Sequence, residues 1–250
     1  MEEPANKLYK ITEFRQALVD YKPSKKALLD LRSVKFVLLS APTAAGRNTL
    51  IRKLLETNRY QFIISDTTRK PRLNNNILEQ DGVEYWFRTE DEFLSGLKNG
   101  DYLESAIIHG QQVSGINIRE IKRAEDNSKI AITDIDIQGC DTCVALSEKI
   151  IPIFILPPSF DEWMRRLDGR GEMLLDEKQR RLKSAVDEIT SALERPYFKF
   201  VTNWDLVQTS EFLDRHINGY FSKSEQAEER SHAISLLHDL KKHHRSYKIN

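Results

Sequence analysis

Short apolar runs alternate with amphipathic stretches from residue 34 onward. Mostly apolar runs typical of buried strands lie at 34–40, 60–65, 129–136, 150–157 and 198–202. Apolar residues recur at helical spacing over 48–57, 90–99, 117–126, 160–167, 175–193 and 209–221. Strands that are apolar throughout and interleaved with helices predict an α/β fold, in which helices cover both faces of a parallel sheet.

Three segments do not follow this alternation of strands and helices. Residues 1–33 predict a helical extension, since Leu8, Ile11, Phe14 and Leu18 recur at helical spacing, and this stripe would pack on the main domain or on a second subunit. Residues 66–116 contain short strands and turns, which predict an inserted subdomain within a domain spanning 34–208. Residues 209–250 predict a helix followed by a solvated polar tail.

Composition narrows the class of protein. The 38 basic residues balance the 38 acidic ones, which gives no support for bulk attraction to nucleic acid or to a membrane. The N-terminus has no apolar core typical of a secretory signal, and no apolar run is long enough to span a bilayer. Cys140 and Cys143 are too few for a disulfide framework, and we interpret them as structural or incidental thiols. We expect a cytoplasmic protein.

The segment SAPTAAGRNTL, at residues 40–50, lies between a predicted strand and a predicted helix, where a phosphate-binding loop is expected. The P-loop pattern is G-x-x-x-x-G-K-[ST], but here its first glycine, its lysine and its hydroxyl residue are Ala41, Arg47 and Asn48. Backbone N–H groups supply most phosphate contacts in such a loop, so binding can survive these changes. Positive φ at Ala41 or Ala44 would carry a strain cost.

Further motifs follow in the order TTRKPR, DGVEYWF, ITDIDIQG, IFILPPS, RRLDGRG and QRRL. This order and spacing resemble guanylate kinase, which phosphorylates GMP with ATP, over roughly residues 34–208. The resemblance implies a P-loop NTPase-like three-layer fold with a GMP-binding subdomain at 66–116 and a helical lid at about 158–195. It also implies small-molecule nucleotide partners, and the sequence leaves the oligomeric state open.

The resemblance assigns residues to the acceptor nucleotide. Arg69, Arg72 and Tyr85 would hold the GMP phosphate, for which fork-shaped guanidinium groups are well suited. The guanine base would be read by Ser65, Glu104 and Asp136, because a carboxylate accepts hydrogen bonds from guanine but meets a lone pair on adenine.

The acceptor motif HGQQVSGIN differs from the family's HGNYYGTS. The family's tyrosine there touches the GMP phosphate and its small hydroxyl residue touches the base. An ungapped alignment gives these two roles to Val113 and Gly115. An insertion would give them to Ser114 or Asn117 instead, and the sequence does not choose between the two alignments.

The donor residues implied by the resemblance lie in the loop, at a strand end and in the lid. ATP would contact Asn203 and the loop residues Ala41, Pro42, Thr43, Ala44, Ala45, Gly46, Arg47, Asn48 and Thr49. Asp134, which ends an apolar strand, and Asn48 offer oxygens for Mg²⁺, directly or through water. Arg47, Arg170 and Arg181 would neutralise charge on the transferring phosphoryl group, with Arg166 as a further candidate.

Three functional hypotheses follow. The first is an active guanylate kinase, favoured by Arg170, Arg181 and Asn203, which a peptide-binding module would not need. The second is a catalytically weak or inactive guanylate-kinase-like module that binds GMP or a phosphorylated protein, and the altered loop favours this hypothesis. The third is a kinase for another nucleoside monophosphate, against which Glu104 and Asp136 argue.

Overall fold

The computed structural model describes residues 7–74, 77–169, 171 and 173–246, which fall into two compact units. The first unit comprises the N-terminal segment through Phe36, Tyr60–Ala131 and Asp141–Ile150. The second comprises Val37–Arg59, Ile132–Cys140 and the chain from Ile151 onward. Neither unit begins or ends at the domain boundaries predicted at residues 33 and 208. Those boundaries stay a prediction.

Helices and strands alternate through most of the described chain. The helices are α1 (Ile11–Leu18), α2 (Lys25–Leu31), α3 (Arg47–Leu55), α4 (Glu90–Asn99), α5 (Ile118–Asp126), α6 (Ile137–Val144), α7 (Phe160–Asp168), α8 (Leu175–Leu193), α9 (Leu206–Asn218) and α10 (Lys223–Ser246). The strands are β1 (Phe36–Ser40), β2 (Tyr60–Phe62), β3 (Asp66–Thr67), β4 (Leu73–Asn74), β5 (Ile77–Leu78), β6 (Trp86–Phe87), β7 (Tyr102–Ile108), β8 (Gln112–Asn117), β9 (Ile130–Asp134), β10 (Ile150–Leu156) and β11 (Lys199–Thr202).

The second unit contains most of a parallel sheet. Its strands follow the order β11-β10-β1-β9, which is the part of a five-stranded sheet that lies in this unit. β10 and β11 pair in parallel, with Ile153 opposite Lys199. Every residue of β1 is buried, as a strand covered on both faces requires. The predicted α/β fold with a parallel sheet is therefore confirmed.

The first unit contains a mixed four-stranded sheet in the order β6-β3-β8-β7. The N-terminal extension packs on this unit, because Leu8 and Phe14 lie in one buried cluster with Phe93 and Leu97 of α4 and with Tyr102 of β7. The apolar stripe predicted for the extension is thus part of a core within the chain. α4 begins with a capping box between Thr89 and Glu92 and spans the predicted residues 90–99.

Both cysteines are buried free thiols. The Cys140 sulfur lies 3.4 Å from the Ser40 hydroxyl, at the end of β1. This placement agrees with the structural role expected for them. Within the described ranges, no helix is both long and apolar enough to cross a membrane.

The expectation of a solvated polar tail is wrong for residues 223–246. They form α10, which buries Ala233, Leu236, Leu237 and Leu240 and packs on α8 and β11. These four residues have the spacing i, i+3, i+4, i+7 of an amphipathic helix. Many charged residues surround these four, so the sequence of this segment is typical of a solvated tail. Charge on the solvent face, however, does not prevent a helix from packing on its narrow apolar face.

Packing of α10 predicts an unequal effect of two neighbouring substitutions. Leu236 is 2% exposed, whereas Ile234 is 56% exposed. Leu236→Ala should lower the free energy of unfolding by about 2–4 kcal/mol, because it leaves a cavity in the core. Ile234→Ala should change it by less than about 0.5 kcal/mol. Denaturant unfolding of both variants measures this difference, and equal effects would contradict the packed helix.

Candidate active site

The loop between β1 and α3 has the backbone of a phosphate-binding loop. Gly46 caps the N-terminus of α3 with a left-handed φ of 97°. Ala44 has a positive φ of 66°, whereas the φ of Ala41 is not positive. The strain expected from the two alanines therefore falls on Ala44 alone. The helix N-terminus still presents its N–H groups at the loop.

Two buried side chains hold the carbonyl groups of this loop. The indole Nε1 of Trp163, on α7, donates to the Thr43 carbonyl at 2.8 Å. The amide Nδ2 of Asn203, which follows β11, donates to the Ala45 carbonyl at 2.9 Å. A Cβ on Gly46 would lie 2.2 Å from that Nδ2, so the glycine is required for the close approach. Sequence reasoning missed Trp163, because nothing in its motif distinguishes it from a core aromatic residue.

The structure brings together the predicted loop cation and both predicted metal-facing oxygens. The Arg47 guanidinium donates to Asp134 Oδ2 at 2.7 Å and to Asn48 Oδ1 at 3.1 Å. Asp134 ends β9, so the strand end meets the loop as predicted. Both side chains of the ion pair are about one third exposed or less, at 27% for Arg47 and 36% for Asp134.

Two arginines of the lid region reach the same loop. Arg181, on α8, places one guanidinium nitrogen 3.4 Å from the Thr43 hydroxyl and pairs with Glu177 at 2.7 Å. Arg166, on α7, donates to the Asn203 carbonyl at 3.0 Å. Arg170, the other predicted lid arginine, lies outside the described residues.

A pocket of about 440 Å³ opens beside the loop. It is lined by loop residues, by Arg47, Asn48, Thr49 and Arg52 of α3, and by Asp136 and Glu188. Burial raises the pKa of Glu188, and this effect is opposed by the Ser184 hydroxyl and by the positive charges of Arg47 and Arg181. Sequence reasoning missed Glu188, although it lies seven residues after Arg181 and therefore shares its helix face.

Asp136 belongs to the second unit, where it lines this pocket. Its Oδ1 accepts a hydrogen bond from the Gly139 N–H at 2.7 Å, in the first turn of α6. The aspartate therefore caps α6, which is the structural alternative to base binding for an aspartate at a strand end.

In the first unit, the structure brings together Arg69 and Tyr85 of the predicted phosphate residues, whereas Arg72 joins them only through its backbone. Arg69 is buried and makes two hydrogen bonds with the Glu79 carboxylate, the longer of them 2.9 Å. Its guanidinium carbon lies 4.6 Å from the centre of the Tyr85 ring. The Arg72 side chain is exposed, and its backbone N–H donates to Glu79 at 2.9 Å. Sequence reasoning missed Glu79, because its pairing with Arg69 is a tertiary contact that no motif signals.

The strand register identifies which residues of HGQQVSGIN can accompany Glu104. Glu104 lies opposite Ile116 and Ala106 opposite Ser114, so Glu104 and Ser114 are on one face of the sheet. Val113 is fully buried on the other face. Asn117 accepts from the Arg119 N–H at 3.0 Å and caps α5.

The Ser114 hydroxyl lies 2.9 Å from that of Thr67, on the neighbouring strand β3. Ser65 comes directly before β3, is half-buried, and its carbonyl accepts from the Trp86 N–H at 2.9 Å. Among the alternatives left open by the sequence, the register places Ser114, and not Val113, on the face of Glu104.

Comparison with known proteins gives a consistent result. The sequence model of the family described as guanylate kinase matches residues 33–220, close to the 34–208 predicted. The chain is 36% identical over 165 residues to guanylate kinase of Bifidobacterium longum, which covers 64% of this chain and 82% of that protein. It is 34% identical over 180 residues to guanylate kinase of Campylobacter jejuni (strain RM1221), covering 71% of this chain and 84% of that protein.

A solved structure agrees with the sequence relatives. The crystal structure of guanylate kinase from Anaplasma phagocytophilum superimposes with a TM-score of 0.54 at 26% sequence identity, covering 77% of this chain and 88% of that one. With a family match over most of its length, the chain belongs to the guanylate kinase family.

Proposed function

We propose that this chain transfers the γ-phosphoryl group of ATP to GMP, or to dGMP, and so produces ADP and GDP or dGDP. The observation that carries the proposal is the cationic setting of the loop in the second unit. The N-terminus of α3 points its N–H groups at the loop, Arg47 at the end of the loop contacts Asp134, and Arg181 contacts Thr43 within the loop. Such a site fits a donor polyphosphate, whose charge these groups would neutralise.

The acceptor side of the proposal rests on the first unit. Tyr85, Arg69 and Arg72 would bind the GMP phosphate, with Glu79 fixing the orientation of the Arg69 guanidinium. Glu104 and Ser114 would contact the base from one face of the sheet, and Ser65, which directly precedes β3, is the third residue proposed for the base. A carboxylate there selects guanine over adenine, because it would face an unfavourable lone pair on adenine.

The proposed mechanism is an in-line transfer in which the chain positions groups and neutralises charge, without a covalent intermediate. Arg47 would exchange the Asp134 carboxylate for phosphate oxygens of the donor, as a charge-assisted contact of similar strength. Arg181 would neutralise charge that spreads over the transferring group. The Oδ1 atom of Asn203 is buried without a hydrogen-bond partner among the described residues, so it could accept a donor from the adenine of ATP.

Magnesium fits the residues at this loop. Asn48 and Asp134 supply the hard oxygen atoms that Mg²⁺ prefers. Within the described residues no group of three or more His, Cys, Asp or Glu side chains could hold a metal. Mg²⁺ at a nucleotide site is usually bound through substrate phosphates and water, with one or two protein oxygens. When bound, the ion would neutralise charge on the phosphate oxygens.

A panel of acceptors tests the proposed reaction. ADP formation would be measured with ATP and Mg²⁺ against GMP, dGMP, AMP, CMP and UMP. Turnover is expected with GMP and dGMP. Measurable GMP binding without turnover of any acceptor would instead indicate a non-catalytic module. Turnover of AMP without GMP would contradict the role of Glu104.

Neighbouring arginines on α8 give a matched test of the lid. Arg180 and Arg181 both pair with Glu177, but Arg181 also contacts Thr43 of the loop. Arg181→Ala should lower kcat roughly 100-fold or more, because it removes a cation from the transferring group. Arg180→Ala should keep kcat within about twofold, since its side chain is exposed. Steady-state kinetics compares the two, and equal losses would contradict the assignment.

Substitution of the loop cation should separate catalysis from acceptor binding. Arg47→Ala should reduce turnover roughly 100-fold or more while the Kd for GMP, measured by calorimetry, stays nearly unchanged. Lys53→Ala, on the same helix, is the control, because Lys53 pairs with Glu56 at the surface. Wild-type activity in Arg47→Ala would show that Arg47 is not the donor-phosphate cation.

A further inference from the structure

A hydroxyl group from the N-terminal extension closes the open edge of β7. The Tyr21 hydroxyl donates to the Tyr102 carbonyl at 2.8 Å and accepts from the Tyr102 N–H at 3.0 Å. β7 is the last strand of its sheet in the described part of the chain, so no described strand pairs with these two backbone groups on that side. One side chain therefore supplies both hydrogen bonds that a further strand would otherwise make.

The bond lies at an irregularity in the strand. Tyr102 is opposite Asn117 while Glu104 is opposite Ile116, so one extra residue is inserted in β7 at this point. Residues two apart in a regular strand share a face, but an extra residue reverses this relation. Tyr102 therefore points into the core while Glu104 points to the opposite face, which carries Ser114. The bulge decides the direction of the guanine-reading carboxylate.

The extension is fastened to the turn that leads into this bulge. The Ser24 N–H donates to the Gly100 carbonyl at 2.9 Å, and a Cβ on Gly100 would lie 2.6 Å from the Ser24 nitrogen. The backbone N–H groups of Tyr9 and Lys10 donate to the Glu90 carboxylate at 3.0 and 2.6 Å. The extension thus contacts both ends of α4, and Tyr21 is held in place.

Tyr102 is fixed by its side chain as well as by its backbone. Its ring stacks on Phe93 with 4.3 Å between centroids, and Phe93 in turn meets Phe14 of the extension at 6.0 Å. Its hydroxyl donates to the buried Asp66 at 2.8 Å.

Burial raises the pKa of Tyr21 to about 12, so the Tyr21 hydroxyl remains protonated at neutral pH and can both donate and accept.

We propose that Tyr21 is a positioning residue for guanine recognition, which acts by holding the β7 bulge that directs Glu104 toward the base. The inference rests on the proposed function, since it takes Glu104 as the group that reads guanine. Tyr21 lies before residues 33–220, which match the family model, so the residue that holds the bulge comes from outside the region shared with the family. Loss of the hydroxyl would leave two backbone groups unpaired at the bulge and allow Glu104 to turn away.

Tyr21→Phe removes only the hydroxyl and tests this proposal. The KM for GMP should rise about fivefold, because the free-energy cost of leaving a buried backbone group unpaired corresponds to a change in affinity of about this size. The kcat and the KM for ATP should stay within about twofold. The preference for GMP over IMP, which lacks the 2-amino group, should fall as well, because that preference reports the carboxylate. Tyr9→Phe is the matched control, since the Tyr9 ring is 77% exposed, and it should change none of these values.

A second variant separates positioning from general loosening of the core. Phe14→Leu alters the same buried cluster without touching the Tyr102 backbone, so it should lower Tm and leave the GMP over IMP preference intact. Wild-type KM and preference in Tyr21→Phe would overturn the proposal, as would an equal loss of preference in Phe14→Leu. If the wild type binds GMP without turnover, the proposed reaction fails, and the Kd values of the same variants for GMP and IMP decide the inference separately.

Discussion

The fixed path of the loop backbone between β1 and α3 is the constraint on which the donor site depends. The proposed phosphate contacts would come from N–H groups, so they require that the carbonyl groups beside them be held elsewhere. Trp163 holds the Thr43 carbonyl and Asn203 holds the Ala45 carbonyl, both from buried positions. These bonds explain how the loop keeps its form although Ala44 stands at a positive φ where glycine would be relaxed.

Replacement of the usual lysine by Arg47 has a definite consequence for this loop. A planar guanidinium presents several donors at fixed angles, whereas an ammonium group is a compact point charge. Arg47 can therefore contact the Asn48 carbonyl and the Asp134 carboxylate at once. The same two oxygens are those proposed for Mg²⁺, so in that proposal the Arg47 side chain would leave them when the donor binds. The altered motif thus retains a positive charge while changing which groups the cation contacts.

The proposed recognition of guanine depends in a similar way on backbone geometry. Glu104 and Tyr102 are two residues apart, yet the bulge sends them to opposite faces. Asp66, which anchors the Tyr102 hydroxyl, also pairs with Arg119, so its buried charge is compensated. The strand that carries Glu104 is therefore anchored, through Tyr102, to a compensated buried carboxylate within the first unit.

Local patterns in the sequence predict the strands of the parallel sheet, the bounds of α4 and α8, and the position of Asp134 at a strand end beside the loop. These follow from local periodicity and from ordered motifs. The partners Glu79 and Trp163, the packing of α10, and the position of Ser114 rather than Val113 on the face of Glu104 follow only from the folded chain. The two partners are tertiary contacts, and the other features depend on a bulge in β7 and a narrow apolar stripe on α10, whose effects appear only when separate segments meet.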